Sequence, residues 1–126
     1  GGLTVPLGEA IEATGPLALV LGPVVGAFGG FITGSGTGAN SMFAAAQGAV
    51  AEGIGVSALA FVGVQNAAAG LLTMASPARV LLAVRSLPTT AGPTGQTASL
   101  TRVMREVLLV DVVIVAALAG WNLLLL

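Results

Sequence analysis

The sequence predicts an all-α membrane protein whose helices include broken or re-entrant elements. The first observation is composition: 56% of the 126 residues are hydrophobic, only 7% are charged, and the mean hydropathy is +1.03. A soluble domain carries about 25% charged residues, so this chain could not cover itself with a solvated surface. The second observation is a pattern of long apolar runs, two of which end in short polar stretches rich in glycine or proline.

Composition also excludes several functions. The formal net charge is −1 and the sequence contains no Lys, whereas nucleic-acid binding needs clustered basic residues. The sequence contains no Cys and no His, which removes thiolate metal sites, disulfides and the commonest metal ligand. We therefore predict no metal and no cofactor, and we expect the lipid bilayer to be the main surrounding of the chain.

The N-terminal part is predicted to be the tail of one helix followed by another. Glu9 and Glu12 lie three residues apart on one helical face, either as solvated carboxylates near a membrane surface or as a proton-handling pair. Residues 17–33 carry no charge, and these 17 residues reach about 25 Å, short of a ~30 Å hydrocarbon core. This predicts a half-helix, kinked at Pro23. No signal-peptide pattern opens the chain, and we expect residues 1–126 to form a single transmembrane segment, the C-terminal part of a longer polytopic protein.

The polar stretch 33–40, TGSGTGAN, is predicted to break this helix. Glycines recur every four residues around it, a spacing that lets helices pack closely in lipid, and the three glycines within it do not hold a regular helix. Asn40 or Ser41 can then cap a new helix over 41–52. The free N–H groups at that helix start would attract an anion, as half-helix ends do near the midplane of transporters.

Other interpretations of these glycines explain less. A P-loop needs Gly-Lys-Ser/Thr, and a dinucleotide fingerprint needs G-x-G-x-x-G after a strand, whereas G-x-G-x-G follows a helix here. Close helix packing without a ligand accounts for the four-residue spacing of the glycines. It does not account for four hydroxyl or amide side chains among eight residues. The break is therefore predicted to be a binding site.

A second apolar run covers residues 56–72. Glu52, in the turn before it, is predicted to be an interfacial residue or, alternatively, a proton carrier. Gln65 and Asn66 lie near the far end of the run. Buried amides need partners, so this pair either joins two helices or forms a second binding element.

A second break is predicted at 66–77. Ser76 can cap a new helix there, and Pro77 suits its first position. The new helix, 78–86, is short and carries Arg79 and Arg85. Two broken elements close together in the sequence are what a carrier site needs.

The last part of the chain is predicted to be a polar loop, 87–98, followed by a helix capped by Ser99 or Thr101. Residues 107–126 are nearly all apolar and reach about 30 Å, one full span. Asp111 lies within this span, and an ionisable residue there indicates a functional role. All four Arg flank the loop, so the positive-inside rule predicts that it is cytoplasmic.

Two stretches, FITGSGTGANSMFAAAQ and VGVQNAAAGLLTMASPARVLLAV, resemble the C-terminal part of the L-lactate permease family. The resemblance covers nearly the whole chain from about Pro16, which would be only the last quarter or so of a carrier. It implies a multi-pass inner-membrane carrier of lactate and related 2-hydroxy monocarboxylates such as glycolate, coupled to protons. The family is grouped with the ion-transporter superfamily, whose paired re-entrant hairpins and elevator-like movement would suit two breaks in a larger transporter fold.

The resemblance also implies site residues by position. The first motif matches Thr33, Gly34, Ser35, Thr37 and Asn40, with Gln47 as its trailing glutamine, and the second matches Asn66, Ser76 and Pro77. Many members have an acidic residue where this chain has Gly36. Many also have Thr-Thr-Gly-Gly where this chain has Ala67-Ala68-Ala69, and a Lys before the Ser-Pro pair that this chain lacks. These departures leave the exact substrate and the coupling ion open.

We therefore predict secondary active transport of a small 2-hydroxy monocarboxylate across the plasma membrane, by proton symport, with no enzymatic activity. The carboxylate is expected at the N–H groups near 35–41, and Asp111 and Glu52 are the candidate proton carriers. The remainder of the permease chain would be the packing partner. The alternatives are a non-transporting scaffold or complex subunit, and a carrier for another organic anion such as a dicarboxylate. An enzyme is disfavoured because no nucleophile–base pair or metal cluster is visible.

Overall fold

The computed structural model describes residues 14–87 and 92–126, and all regular structure within these residues is helical. The described helices are α1 (Gly15–Thr33), α2 (Gly36–Gly53), α3 (Ala58–Leu72), α4 (Pro77–Arg85) and α5 (Gly92–Leu125), with a 3₁₀ turn at Thr73–Ala75. The predicted all-α class is confirmed. The carboxylates of Glu9 and Glu12 lie outside the described residues.

The first helix, α1, is longer than the sequence predicts. It begins with a proline in its first turn, where a missing N–H costs nothing, and runs without interruption through the buried Pro23. It ends at Gly34, which adopts a left-handed conformation (φ 62°) and donates its N–H to the Gly30 carbonyl at 2.9 Å. Its 19 residues extend about 28 Å, nearly the thickness of a hydrocarbon core.

The glycines of α1 form its contact with α3. A Cβ added at Gly26 or Gly30 would collide with a backbone carbonyl of α3, and one at Gly22 would lie 2.6 Å from the Phe61 ring. The two backbones therefore approach closely because these positions carry no side chain, as small-xxx-small faces allow. The three glycines meet successive turns of the partner helix, which shows that α1 and α3 run in the same direction; the partners are Phe61, Gln65 and Ala69.

The break between α1 and α2 is shorter than predicted. We expected a new helix from residue 41 with Asn40 or Ser41 as its cap, but α2 begins at Gly36 and Ser35 is the cap. The Ser35 hydroxyl accepts the Gly38 N–H at 3.1 Å, which satisfies an otherwise free donor of the first turn. This capping bond offsets the low helix propensity of the glycines and confines the break to two residues.

The second break is also shorter than predicted. α3 continues through Asn66 and Gly70 to Leu72, because an apolar, alanine-rich run keeps its helical hydrogen bonds when it is buried against α1. The irregular part is the 3₁₀ turn and Ser76, after which Pro77 starts α4 as predicted. Ser76 occupies the cap position, but its side chain makes no capping hydrogen bond.

The last helix, α5, begins at Gly92, well before the predicted caps at Ser99 and Thr101. The predicted loop 87–98 is therefore partly helical, and residues 88–91 are outside the described part of the chain. One face of α5 packs against α1 and α3, where the Asn122 amide donates to the Leu19 carbonyl at 3.0 Å. The opposite face exposes large apolar side chains, as a lipid-facing surface would; they include Leu109, Val110, Val112, Val113 and Leu124.

Three of the described helical stretches are long and apolar enough to cross a membrane: Gly15–Thr33, Ala58–Arg85 and Gly92–Leu124. The helix α2 runs antiparallel to α1, because Thr33 of α1 lies against Gly38 and Gly29 of α1 lies against Phe43. The ends of α1 and α3 and the starts of α2 and α4 therefore meet at one end of the bundle. The two breaks predicted from the sequence are thus brought together.

Candidate functional site

The first break is shaped by side chain–backbone hydrogen bonds. The Thr33 hydroxyl lies 2.7 Å from the Gly29 carbonyl and 2.8 Å from the Ser35 carbonyl, and it accepts the Ser35 N–H at 3.2 Å. Ser35 has an extended backbone and caps α2. Both side chains therefore hold the backbone of the break, and they form no hydrogen bond to the N–H groups of Gly36 and Thr37.

The second break supplies two groups to the first. The Arg79 Nε donates to the Gly34 carbonyl at 2.8 Å, across 45 residues of sequence. The Ser76 hydroxyl would lie 2.8 Å from a Cβ placed on Gly34. The structure therefore brings the predicted residues Gly34 and Ser76 together and adds Arg79, which the sequence analysis did not assign to the site. Its position three residues after Ser76, on the same helical face, is the signal that could have found it.

This end of the bundle has the electrostatics of an anion site. The N–H groups of Gly36 and Thr37 are in the first turn of α2, so neither has a partner within that helix. They carry the positive end of the helix dipole, and Arg79 adds a full positive charge nearby. No acidic residue occurs in the first turn of α2 or of α4. We call the group formed by Gly34, Ser35, Gly36, Thr37, Ser76 and Arg79 the break site.

Asn40 and Asn66 form a second polar cluster, one turn further along α2. The Asn40 amide donates to Asn66 Oδ1 at 2.6 Å, and Gln65 Nε2 donates to Asn40 Oδ1 at 3.3 Å. These bonds join α2 to α3, which is one of the two predicted roles of Gln65 and Asn66, and the binding role stays a prediction. The Gln65 side chain is fully buried, and its Oε1 has no hydrogen-bond partner among the described residues. The sequence predicted Asn40 as a possible helix cap. In the structure, its side chain instead joins α2 to α3.

The two candidate proton carriers lie in different surroundings. Asp111 is 1% exposed on the packed face of α5, and neither of its carboxylate oxygens has a hydrogen-bond partner in the described part of the chain. Glu52 is exposed near the end of α2, beside Gly15 and Leu126, at the end of the bundle opposite the break site. No group of three or more His, Cys, Asp or Glu side chains that could hold a metal occurs among the described residues.

Comparison with known protein families matches residues 1–125 to the family described as L-lactate permease. The chain belongs to the L-lactate permease family. It is 34% identical over 102 residues to the L-lactate permease of Halalkalibacterium halodurans, which covers 81% of this chain and 19% of that relative. It is 37% identical over 82 residues to the L-lactate permease of Escherichia coli K12, which covers 65% of this chain and 15% of the relative.

The chain thus spans about a fifth or less of the length of these curated lactate permeases. No solved structure matches it. The family membership and the three apolar helical stretches together support a multi-pass membrane protein. In this member of the lactate permease family, the two polar breaks meet at one end of the helix bundle.

Proposed function

We propose that the carrier formed with this chain transports a small 2-hydroxy monocarboxylate, such as lactate or glycolate, across the plasma membrane by proton symport. The observation that supports this most directly is the break site, where free helix-start N–H groups and one arginine converge without an acidic neighbour in either helix start. Such a site attracts a carboxylate. The printed names of the relatives, L-lactate permease, point to the same substrate class.

The predicted residues then have different roles. In this proposal the N–H groups of Gly36 and Thr37 bind the carboxylate, while Thr33 and Ser35 hold the backbone that presents them. Gly34 permits the left-handed turn between the helices. The exposed Thr37 hydroxyl is available for the 2-hydroxyl of the substrate. The cluster of Asn40 and Asn66 fixes α2 against α3 and offers further amide groups one turn away.

Asp111 is the better-supported proton carrier. A carboxylate buried in an apolar helix face without a hydrogen-bond donor calls for a proton or a counter-ion. The elements packed against α5 are α1, α3, α4 and the 3₁₀ turn, and the charged side chains on them are Arg79 and Arg85 of α4, which form no ion pair among the described residues. Glu52 is exposed to solvent and remains the alternative.

The proposal is tested by uptake of labelled L-lactate, glycolate and succinate into proteoliposomes that contain the complete carrier, with and without an inwardly directed proton gradient. We expect saturable uptake of the two monocarboxylates, accelerated by the gradient, and little uptake of succinate. Preference for succinate would favour the dicarboxylate alternative. Absence of uptake for every anion, with correctly assembled protein, would favour a scaffold.

A further inference from the structure

Arg79 is anchored at the break site in a way that leaves most of its guanidinium unused. Its Nε is committed to the Gly34 carbonyl at 2.8 Å, while the side chain as a whole is exposed. The ion pair within the described residues joins Arg105 and Glu106, and Arg79 has no carboxylate partner there. The two terminal nitrogens therefore remain as a planar pair of donors, the geometry that binds a carboxylate with two parallel hydrogen bonds.

Ser76 provides a second, independent indication of a ligand. Its side chain is 1% exposed, and its hydroxyl points toward Gly34, 2.8 Å from the position of a Cβ there. Although Ser76 occupies the cap position of α4, it makes no capping hydrogen bond, and no side-chain hydrogen bond joins it to another described residue. The hydroxyl of this buried residue is therefore an unused donor beside Gly34, available to a group that approaches from outside the described chain.

We infer that Arg79 is the residue that recognises the negative charge of the substrate, with the Ser76 hydroxyl as a supporting donor. The inference rests on the proposed function and identifies which side chains select a carboxylate over a neutral analogue. The Gly34 carbonyl orients the guanidinium, and the first-turn N–H groups of α2 add the positive end of a helix dipole to the same anion. Arg79 is thus a specificity residue, and Gly34 is its positioning group.

The competing explanation is that Arg79 only caps the C-terminal end of α1, since basic side chains commonly bond to the last carbonyls of a helix. The two explanations differ in what substitution changes. A structural cap affects folding and the amount of assembled carrier. A carboxylate-binding arginine affects the discrimination between lactate and its neutral amide, lactamide, which has the same shape but no charge.

The experiment measures L-lactate uptake and its inhibition by lactamide in the complete carrier, for the wild type, Arg79→Gln, Arg79→Lys and Ser76→Ala. Arg85→Gln is the matched control, because Arg85 lies on the same helix and forms no hydrogen bond or ion pair with another described residue. For Arg79→Gln we expect the lactate KM to rise about tenfold or more, where tenfold corresponds to about 1.4 kcal/mol. The preference for lactate over lactamide should fall by a similar factor.

Arg79→Lys keeps the charge but loses the paired donors, so we expect partial rescue of both KM and charge preference. Ser76→Ala should raise KM by a smaller factor, and Arg85→Gln should match the wild type. An unchanged preference for lactate over lactamide in Arg79→Gln would overturn the inference and leave the proposed function intact. If Arg79→Gln does not assemble, an unchanged preference in both Arg79→Lys and Ser76→Ala would have the same meaning. Absence of lactate uptake by the wild type would overturn the proposed function, and this inference with it.

Discussion

At the scale of single residues, glycines decide how closely the first and third helices pack. Gly30 lies against the Ala69 carbonyl, and Gly26 lies against the Gln65 carbonyl. In both places a methyl group would meet rigid backbone and not the end of a flexible side chain. Other glycines, such as Gly63 of α3, have no atom of the described residues within 4 Å of an added Cβ. The same residue type therefore has two physical roles in one bundle.

This contrast predicts opposite effects for two identical substitutions. Gly30→Ala should lower the free energy of unfolding by about 1–3 kcal/mol, because overpacking forces the helices apart. Gly63→Ala should stabilise by up to about 1 kcal/mol, because alanine favours the helix and its methyl group meets no atom of the described residues. Thermal unfolding of the complete carrier in detergent measures both. Equal loss of stability in the two variants would show that the α1–α3 contact is not as close as described.

At the scale of elements, the start of α2 combines a structural bond with an anion site. Ser35 caps the helix through Gly38, and the neighbouring N–H groups are the proposed carboxylate donors. The start of α3 has the same local chemistry, since the Ser57 hydroxyl accepts the Ala60 N–H at 3.3 Å. Among the described residues, neither an arginine nor a second break lies beside the start of α3. The start of α3 is therefore a control for the effect of the cap alone, without the proposed anion site.

We expect Ser35→Ala and Ser57→Ala each to cost about 1 kcal/mol of stability through the lost cap. Aspartate caps a helix as well as serine does, so Ser35→Asp and Ser57→Asp should both restore stability. Only Ser35→Asp should abolish lactate uptake, because its negative charge would lie where the carboxylate binds. Uptake kinetics and thermal unfolding of the four variants test this. Normal lactate KM in Ser35→Asp would place the substrate elsewhere.

At the scale of the whole molecule, the proposed symport requires that substrate binding be linked to proton movement. The break site is at one end of the bundle, whereas Asp111 is buried along α5 against α1 and α3. No hydrogen bond joins the Asp111 carboxylate to any described residue of the break site. In the proposed mechanism, a substitution at Asp111 therefore removes the proton coupling and leaves the break site in place.

Asp111→Asn should abolish lactate accumulation driven by a proton gradient and preserve exchange of labelled for unlabelled lactate, because exchange needs no net proton transfer. Glu52→Gln should retain both activities, since Glu52 is exposed at the far end of the bundle. Counterflow and gradient-driven uptake in proteoliposomes separate the two. Gradient-driven accumulation that survives in Asp111→Asn but fails in Glu52→Gln would transfer the proton role to Glu52.

The positions of the arginines predict how the bundle is oriented in the membrane. We propose that residues 87–98 face the cytoplasm, because all four Arg flank them. This sequence contains no Cys, so Ser86→Cys gives this part of the carrier a single labelling site once any cysteines elsewhere in the carrier have been replaced by serine. We expect a membrane-impermeant maleimide to label Ser86→Cys from the cytoplasmic side, and Ser57→Cys, at the other end of the Ala58–Arg85 stretch, from the opposite side. Reversed labelling would invert the orientation.

The sequence by itself determined the all-α membrane class, the glycine-rich packing and the existence of two polar breaks, because these follow from composition and local spacing. It misplaced the edges of the breaks at Asn40 and Asn66, since hydrogen bonds at Ser35 and packing against α1 outweigh the low helix propensity of the glycines. Only the tertiary structure joined Arg79 to Gly34 and buried Asp111. Those contacts connect residues far apart in the chain, and their geometry depends on how the helices pack.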